Sequence, residues 1–571
     1  MNRTLQRLRI AGCLASGLSK SRLAPQRASF ALLVAAVFVA AALGSADVRL
    51  ASAAGSYDTL VVCPQELRSG LDRWLEYRRA QGRTIQVIES ATDAAELQRK
   101  IHSEARLGAL RTVVLVGDAT AAGANAAAAP TVPTFLLPAK VNIHFGSERE
   151  LASDHPYVDL DEDGVPDLAI GRIAADSADE LAAIVDKTIA YEQSDDFTNW
   201  RRQVNFVAGL GGFSPMADKV LELTAKRFIT AGLPSAYAIS MTYGSWRSPY
   251  CPDPREFHAT TIDRLNEGCV FWVYIGHGHR SSLDRVRCGS QQYHIFDQRD
   301  VPKANAAHGL PIALFLACHT AAFDDARDCL AEDLLRTPRG PVAVIGGTRV
   351  TMPYGMSIMA NELMTACFQS KLPTLGEVVL EAKRQMLTRP RDDDETRSLD
   401  ALARLVNPKS RDLALERAEQ VLLFHLIGDP LLRLPFPAKA TLEVPTQAQP
   451  GEVLQISGES PVAGEAVVEL VVRRDKLKFR PTVRDVFSDA DEALRAYQDD
   501  YQRANDPRLA STRQPVAAGR FQAELCVPDD AQGECHVRLY VTGSDGCAVA
   551  ASDLVIQRKS NPPATASNAG K

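Results

Sequence analysis

Apolar and polar positions along this chain follow two regimes. From Tyr57 to Pro437, short apolar runs alternate with stretches whose apolar residues recur at helical spacing. "TLVVCP" predicts a strand, "ELRSGLDRWLEYRRAQG" a helix closed by Gly82, "RTIQVIES" a strand, "DAAELQRKIHSEARLG" a helix and "LRTVVLVGD" a strand. A loop rich in Ala, Gly and Pro follows (Ala119 to Pro138), then "YVDLDEDGVPDLAIGRI" and the helix "SADELAAIVDKTIAYEQ". A second alternating unit runs through "VNFVAGLGG", "PMADKVLELTAKRFITAG", "CVFWVYIGHG", "PIALFLACH", "CLAEDLLRT" and "PVAVIGGT", and ends near "LFHLIGDPLLRLPFP". Strand–helix–strand alternation predicts parallel strands with crossover helices.

After Pro437 the period changes to short β-rich runs: "ATLEVP", "GEVLQISG", "AVVELVVRR", "GRFQAELCVP", "CHVRLYVTG" and "CAVAASDLVI", separated by Pro, Gly and Asp. This predicts a β-sandwich of immunoglobulin type, with Ser488 to Asp506 as a helical insertion. The fold class is thus α/β in two parallel-sheet subdomains (55–198 and 199–437), then an immunoglobulin-like β-sandwich (438–558) and a disordered tail (559–571).

Composition adds a location. Six basic residues (Arg3, Arg7, Arg9, Lys20, Arg22, Arg27) precede the apolar run Phe30 to Ala46, small residues follow, and no acid appears before Asp47. That order predicts a secretory signal over 1–54, and hence a secreted or cell-envelope protein. An uncleaved anchor, the one route to a membrane, is the alternative reading, although 17 residues barely span a bilayer. A net charge of −6 without a basic block argues against a nucleic-acid partner. Eleven irregularly spaced cysteines exclude a disulfide framework. Cys63, Cys269 and Cys367 read as core residues, and one disulfide is expected among Cys526, Cys535 and Cys547.

The chemistry concentrates in "VYIGHGHRSSLD" and "ALFLACHTAAFDD", where His277 and Cys318 each end an apolar strand. Sites in open parallel sheets form at the carboxyl ends of strands. If these strands are neighbours, an imidazole and a thiol share one crevice, as nucleophilic catalysis requires. The N–H groups of Gly278 and Cys318 would form an oxyanion hole, and His277 would protonate a leaving amine.

These two blocks, "YIGHGH" and "FLACHTAAFDD", resemble the gingipain-type cysteine peptidases, relatives of the caspases. "LVGD" at Leu115, "SDHPYVDLDEDGVPDLAIGRI" at Ser153, "IVDKTIAYE" at Ile184, "CLAEDLLRTPRGPVAVIGGT" at Cys329 and "LIGDPLLRL" at Leu426 match that family's landmarks in order, over about Tyr57 to Pro437. The resemblance implies a caspase-like catalytic fold and a cysteine endopeptidase that requires no cofactor and acts on protein or peptide substrates. It implies His277 as catalytic histidine and Cys318 as nucleophile. Asp163 lies near the place where Arg-specific members read a basic P1 side chain. "TRVTMPYG", with Thr348 and Tyr354, falls where the family shapes its S1 wall, without the family's tryptophan.

Two metal readings accompany this. Asp159, Asp161, Asp163 and Asp167 alternate around a Gly turn, as in a calcium loop, although Ile170 occupies the last EF-hand position. His277, His279, Cys318 and His319 form the zinc alternative, but the extra histidines lie outside the family's motif and read as flanking. "GLGGF" at Gly209 lacks a phosphate-binding fingerprint and reads as a strand–helix turn. The functional rivals are a transpeptidase of the same family and a surface binding protein with a vestigial dyad.

Overall fold

The computed structural model describes residues 57–119, 130–209, 232–389 and 412–557, with a few positions between 397 and 404. The targeting segment, nearly all of the helical pattern of 215–232, most of "GLGGF" and the tail lie outside the described residues. Among the described residues, no helix is long and apolar enough to cross a membrane.

The apolar runs pair into one large sheet. Its strands are β1 (Thr59–Val62), β2 (Ile85–Ile88), β3 (Thr112–Val116), β4 (Ala169–Ile173), β5 (Gln203–Ala208), β6 (Ala238–Tyr243), β7 (Phe271–Ile275), β8 (Ile312–Leu316), β9 (Ala343–Gly347) and β10 (Phe424–Ile427). Their order is β2-β1-β3-β4-β10-β9-β8-β7-β5-β6. Both faces are covered by helices, which explains why the strands read as unbroken apolar runs. On β8, Ala313 and Phe315 enter the core beneath α1 (Arg68–Ala80), α3 (Ala178–Glu192), α4 (Phe257–Asn266) and α5 (Leu330–Arg336). Ile312, Leu314 and Leu316 enter the opposite core, beneath α6 (Pro353–Met364), α7 (Leu375–Thr388) and α8 (Leu413–Leu423). A further helix, α2 (Ala94–Ala105), buries Leu97 and Ile101 against β1 and β3.

The two alternating units do not make separate parallel sheets. Strands β2, β1, β3, β4 and β10 are mutually parallel, as are β9, β8, β7, β5 and β6. The two sets run in opposite directions and meet at the antiparallel β9–β10 ladder. The amino ends of the first set therefore share an edge with the carboxyl ends of the second. β10, last in the chain, is held at the seam from both sides. His425 Nε2 accepts the Asp154 N–H (2.9 Å), and Asp429 accepts from Trp74 Nε1 (2.5 Å) and Arg78. Arg78 is fully buried and pairs with Glu192 as well.

The β-rich C-terminal region forms two sheets that share one core. One contains Gly464–Val472, Arg508–Val516, Gly533–Thr542 and Cys547–Ile556, the other Thr441–Glu443, Val453–Ser460 and Gly519–Cys526. Its insertion is helix α9 (Asp491–Ala504), which leaves the β domain and packs on the edge of the main sheet. The expected disulfide is not formed: Cys526, Cys535 and Cys547 are all free. Cys526 ends a strand of the smaller sheet, whereas Cys535 and Cys547 belong to two strands of the larger one, opposite Leu554 and Thr542.

Candidate active site

β7 and β8 are adjacent and parallel, with Ile275 opposite Leu316. Each chain runs two residues further, so His277 and Cys318 leave neighbouring strand ends side by side, both half-buried. Two glycines make the approach possible. Gly276 has φ +156°, and a Cβ there would meet Tyr274 Oη at 2.7 Å. That hydroxyl donates to the His277 carbonyl (2.8 Å) and so fixes the turn. A Cβ on Gly278 would meet the Cys318 carbonyl oxygen at 2.6 Å. The His-Gly pair is thus packed directly onto the cysteine turn.

The thiol is partnered from within the "TRVTMPYG" stretch, by a residue not singled out there. Thr351 donates its N–H to Cys318 Sγ (3.3 Å), and its hydroxyl lies 3.5 Å away. Burial pushes the Cys318 thiol up, and the Thr351 groups offset this only in part. A thiol held up in this way needs a base to become a nucleophile. His319 adopts a left-handed backbone (φ 57°) and commits its N–H to Arg349 O (3.1 Å). Its backbone N–H is therefore unavailable to an oxyanion. Burial, with Arg280, Arg349 and His279 nearby, lowers its imidazole to about 4 against the pull of Glu148.

An ion-pair network frames this turn. Arg280 bridges Glu148 (2.6 Å) and Asp325 (2.5 Å), and Arg349 pairs with Asp324 (2.8 Å). Burial raises the Glu148 carboxyl, but its own N–H, Arg280, His319 and Arg349 bring it below the usual range. Glu148 comes from the first alternating unit, which reaches the site because its amino-end loops share the sheet edge that carries His277 and Cys318. Asp324 and Asp325 close the block that carries Cys318; Glu148 and Thr351 have no sequence signal beyond their neighbourhood.

The model of peptidase family C25 matches residues 52–435. The chain is a member of peptidase family C25. It is 23% identical to gingipain R2 of Porphyromonas gingivalis over 355 residues, covering 59% of this chain and 43% of that protein. To Lys-gingipain of the same species it is 22% identical over 301 residues, 51% of this chain and 15% of that one. The chain thus spans less than half the length of either relative. A solved structure described as a protease shares the fold at 15% identity and a TM-score of 0.50, over 87% of this chain and 97% of the other. The Arg-specific cysteine proteinase gingipain R aligns over 88% and 98%, with 16% identity and a TM-score of 0.49.

The other predicted positions of this C25 member are placed as follows. Thr348 is fully buried and donates to Ala152 O (3.0 Å). Tyr354 is buried, with its hydroxyl on Asp400 (2.7 Å) and Arg417 (2.8 Å). Asp163 is exposed and caps its own turn through the Val165 N–H (2.7 Å). It leads into β4, three strands from β8, about 14 Å at ordinary strand spacing. Asp159, Asp161 and Asp167 bring carboxylate oxygens within 4.8 Å of one another; Asp163 is not in that group. Burial and the neighbouring carboxylates raise Asp159. The zinc alternative does not assemble, because His277, His279, Cys318 and His319 form no converging ligand set among the described residues. The His279 and His319 rings stand 6.3 Å apart.

Proposed function

We propose that this C25 member is an exported cysteine endopeptidase that hydrolyses peptide bonds through His277 and Cys318. The observation that carries the reading is the strand register, which sets an imidazole and a Thr351-partnered thiol at adjacent carboxyl ends of one sheet. His277 takes the thiol proton as Sγ attacks the scissile carbonyl. The Gly278 and Cys318 N–H groups receive the oxyanion, and His277 returns the proton to the leaving amine. Water then attacks the acyl-enzyme, with His277 again as base, and releases the acid product. Membership of C25 makes protein or peptide substrates the natural class.

Two further readings belong here. The acidic loop holds a structural calcium ion through Asp159, Asp161 and Asp167, three hard oxygen donors that already converge. The C-terminal region is an immunoglobulin-like domain, supported by its two sheets over a common core.

The deciding experiment is turnover of a peptide library by the wild type and Cys318→Ala. Hydrolysis should vanish in the variant while its circular dichroism is retained. A folded Cys318→Ala that still cleaves at wild-type rate would overturn the assignment.

A further inference from the structure

A second constellation stands apart from His277 and Cys318. His258 sits in the first turn of α4, His294 ends the strand Gln291–His294, and Asp300 lies in the 3-10 helix Gln298–Lys303. Three separate elements thus deliver two imidazoles and a carboxylate to one point, with their ligand atoms within 4.8 Å of one another. His258 Nε2 is 3.2 Å from Asp300 Oδ1, and His294 Nε2 is 3.5 Å from Asp300 Oδ2. Tetrahedral zinc with bonds of about 2.0–2.2 Å separates its ligands by about 3.3–3.6 Å. Each imidazole already stands close to that spacing from one oxygen of Asp300, and the two rings, 3.9 Å apart between centroids, turn apart to share one ion.

The surroundings fit ligation. His258 Nδ1 faces the Ile295 carbonyl (3.3 Å), so its proton belongs there and the Nε2 lone pair faces inward. Asp300 is almost fully buried. Its Oδ2 accepts the Asp297 N–H (2.9 Å), which orients the carboxylate and leaves Oδ1 for a cation. A cation already tests the position: Lys303 Nζ lies 3.0 Å from Asp300 Oδ1 and 3.3 Å from His258 Nε2. Its side chain is about half exposed and free to swing out. His294 is 39% exposed, which gives an ion a way in and room for water to complete its shell.

We propose that His258, His294 and Asp300 form a divalent transition-metal site, zinc by donor type, in which Lys303 is a displaceable ammonium competitor. The segment that would be clamped is joined to the catalytic loop. Leu283 N–H donates to Phe296 O (2.8 Å), Ile295 N–H to Asp284 O (3.2 Å) and Gln298 N–H to Ser281 O (3.0 Å). Zinc here ties the stretch that follows His277 to helix α4.

The test uses the full chain carrying Cys318→Ala, so that the proposed nucleophile cannot bind the metal, titrated with zinc sulfate by calorimetry. One zinc per chain is expected, weakened at least about a hundredfold by His258→Ala or His294→Ala. Lys303→Ala should bind several times tighter, because the competing charge is gone. Cobalt loaded at the site should give d–d bands without thiolate charge transfer. Unchanged zinc affinity in folded His258→Ala and His294→Ala would overturn the proposal. So would a Lys303→Ala chain that binds zinc no tighter than its parent, an outcome that decides the matter even if the histidine variants fail to fold.

Discussion

At the scale of single residues, the question is which imidazole serves Cys318. His277 lies level with the cysteine across the β7–β8 pair, whereas His279 is exposed and begins a turn through its N–H to Ser282 O. His277→Ala should lower turnover by about a hundredfold to ten-thousandfold. His279→Ala should cost at most about tenfold, through loop geometry. Steady-state kinetics on folded variants separates the two. The thiol itself makes a second prediction. Burial holds it above its ordinary value, so without substrate its alkylation rate should still be climbing above about pH 9. Peptide mapping against pH checks this, and an early plateau near pH 6 would instead indicate a preformed thiolate. Cys63, Cys269 and Cys329 are fully buried and should stay unlabelled. Cys526 is exposed and will label too, so loss of activity must be tracked with Cys318.

At the scale of elements, two segments matter. The loop before β4 gathers Asp159, Asp161 and Asp167 but leaves out Asp163. Millimolar calcium should therefore raise the melting temperature by mass action in the wild type and in Asp163→Ala, but not in Asp161→Ala. A thermal scan of the three proteins decides. The other segment is edge strand β6. Asn505, just past α9, accepts the Met241 N–H (2.7 Å) and donates to the Met241 carbonyl (3.0 Å), as a neighbouring strand would. Tyr501 adds a contact to Thr242 Oγ1 (2.8 Å). The helical spacing of 488–506 predicted this helix; nothing in its sequence predicted that it would cap a distant sheet edge.

At the scale of the whole molecule, the seam between the two strand sets bears on acid stability. Asp154 and Arg172 form a buried bidentate pair (2.9 and 2.8 Å). Burial alone would raise the Asp154 carboxyl, but the Arg172 charge and hydrogen bonds bring it below the ordinary range. A depressed folded value contributes stability above the unfolded pKa of about 3.9 and loses it as pH falls through the folded value. Asp154→Asn should cost about 3–5 kcal/mol at pH 7 by stranding a buried guanidinium, and the gap should narrow below about pH 4. Urea midpoints at the two pH values measure this. Much of the molecule was written locally. Short apolar runs and helical periods marked nearly every strand of the main sheet, and two strand ends marked His277 and Cys318, because period and side-chain chemistry are properties of a few consecutive residues. Strand direction is not: the period of Phe424–Ile427 is the same whether it pairs parallel or antiparallel. Only the folded chain decided that β10 enters the middle of the sheet and reverses one half against the other. That reversal brings Glu148 to the cysteine turn from about 170 residues away in the chain, and the same packing puts the Thr351 N–H on the sulfur. Such partners are chosen by three-dimensional proximity, which no stretch of sequence carries by itself.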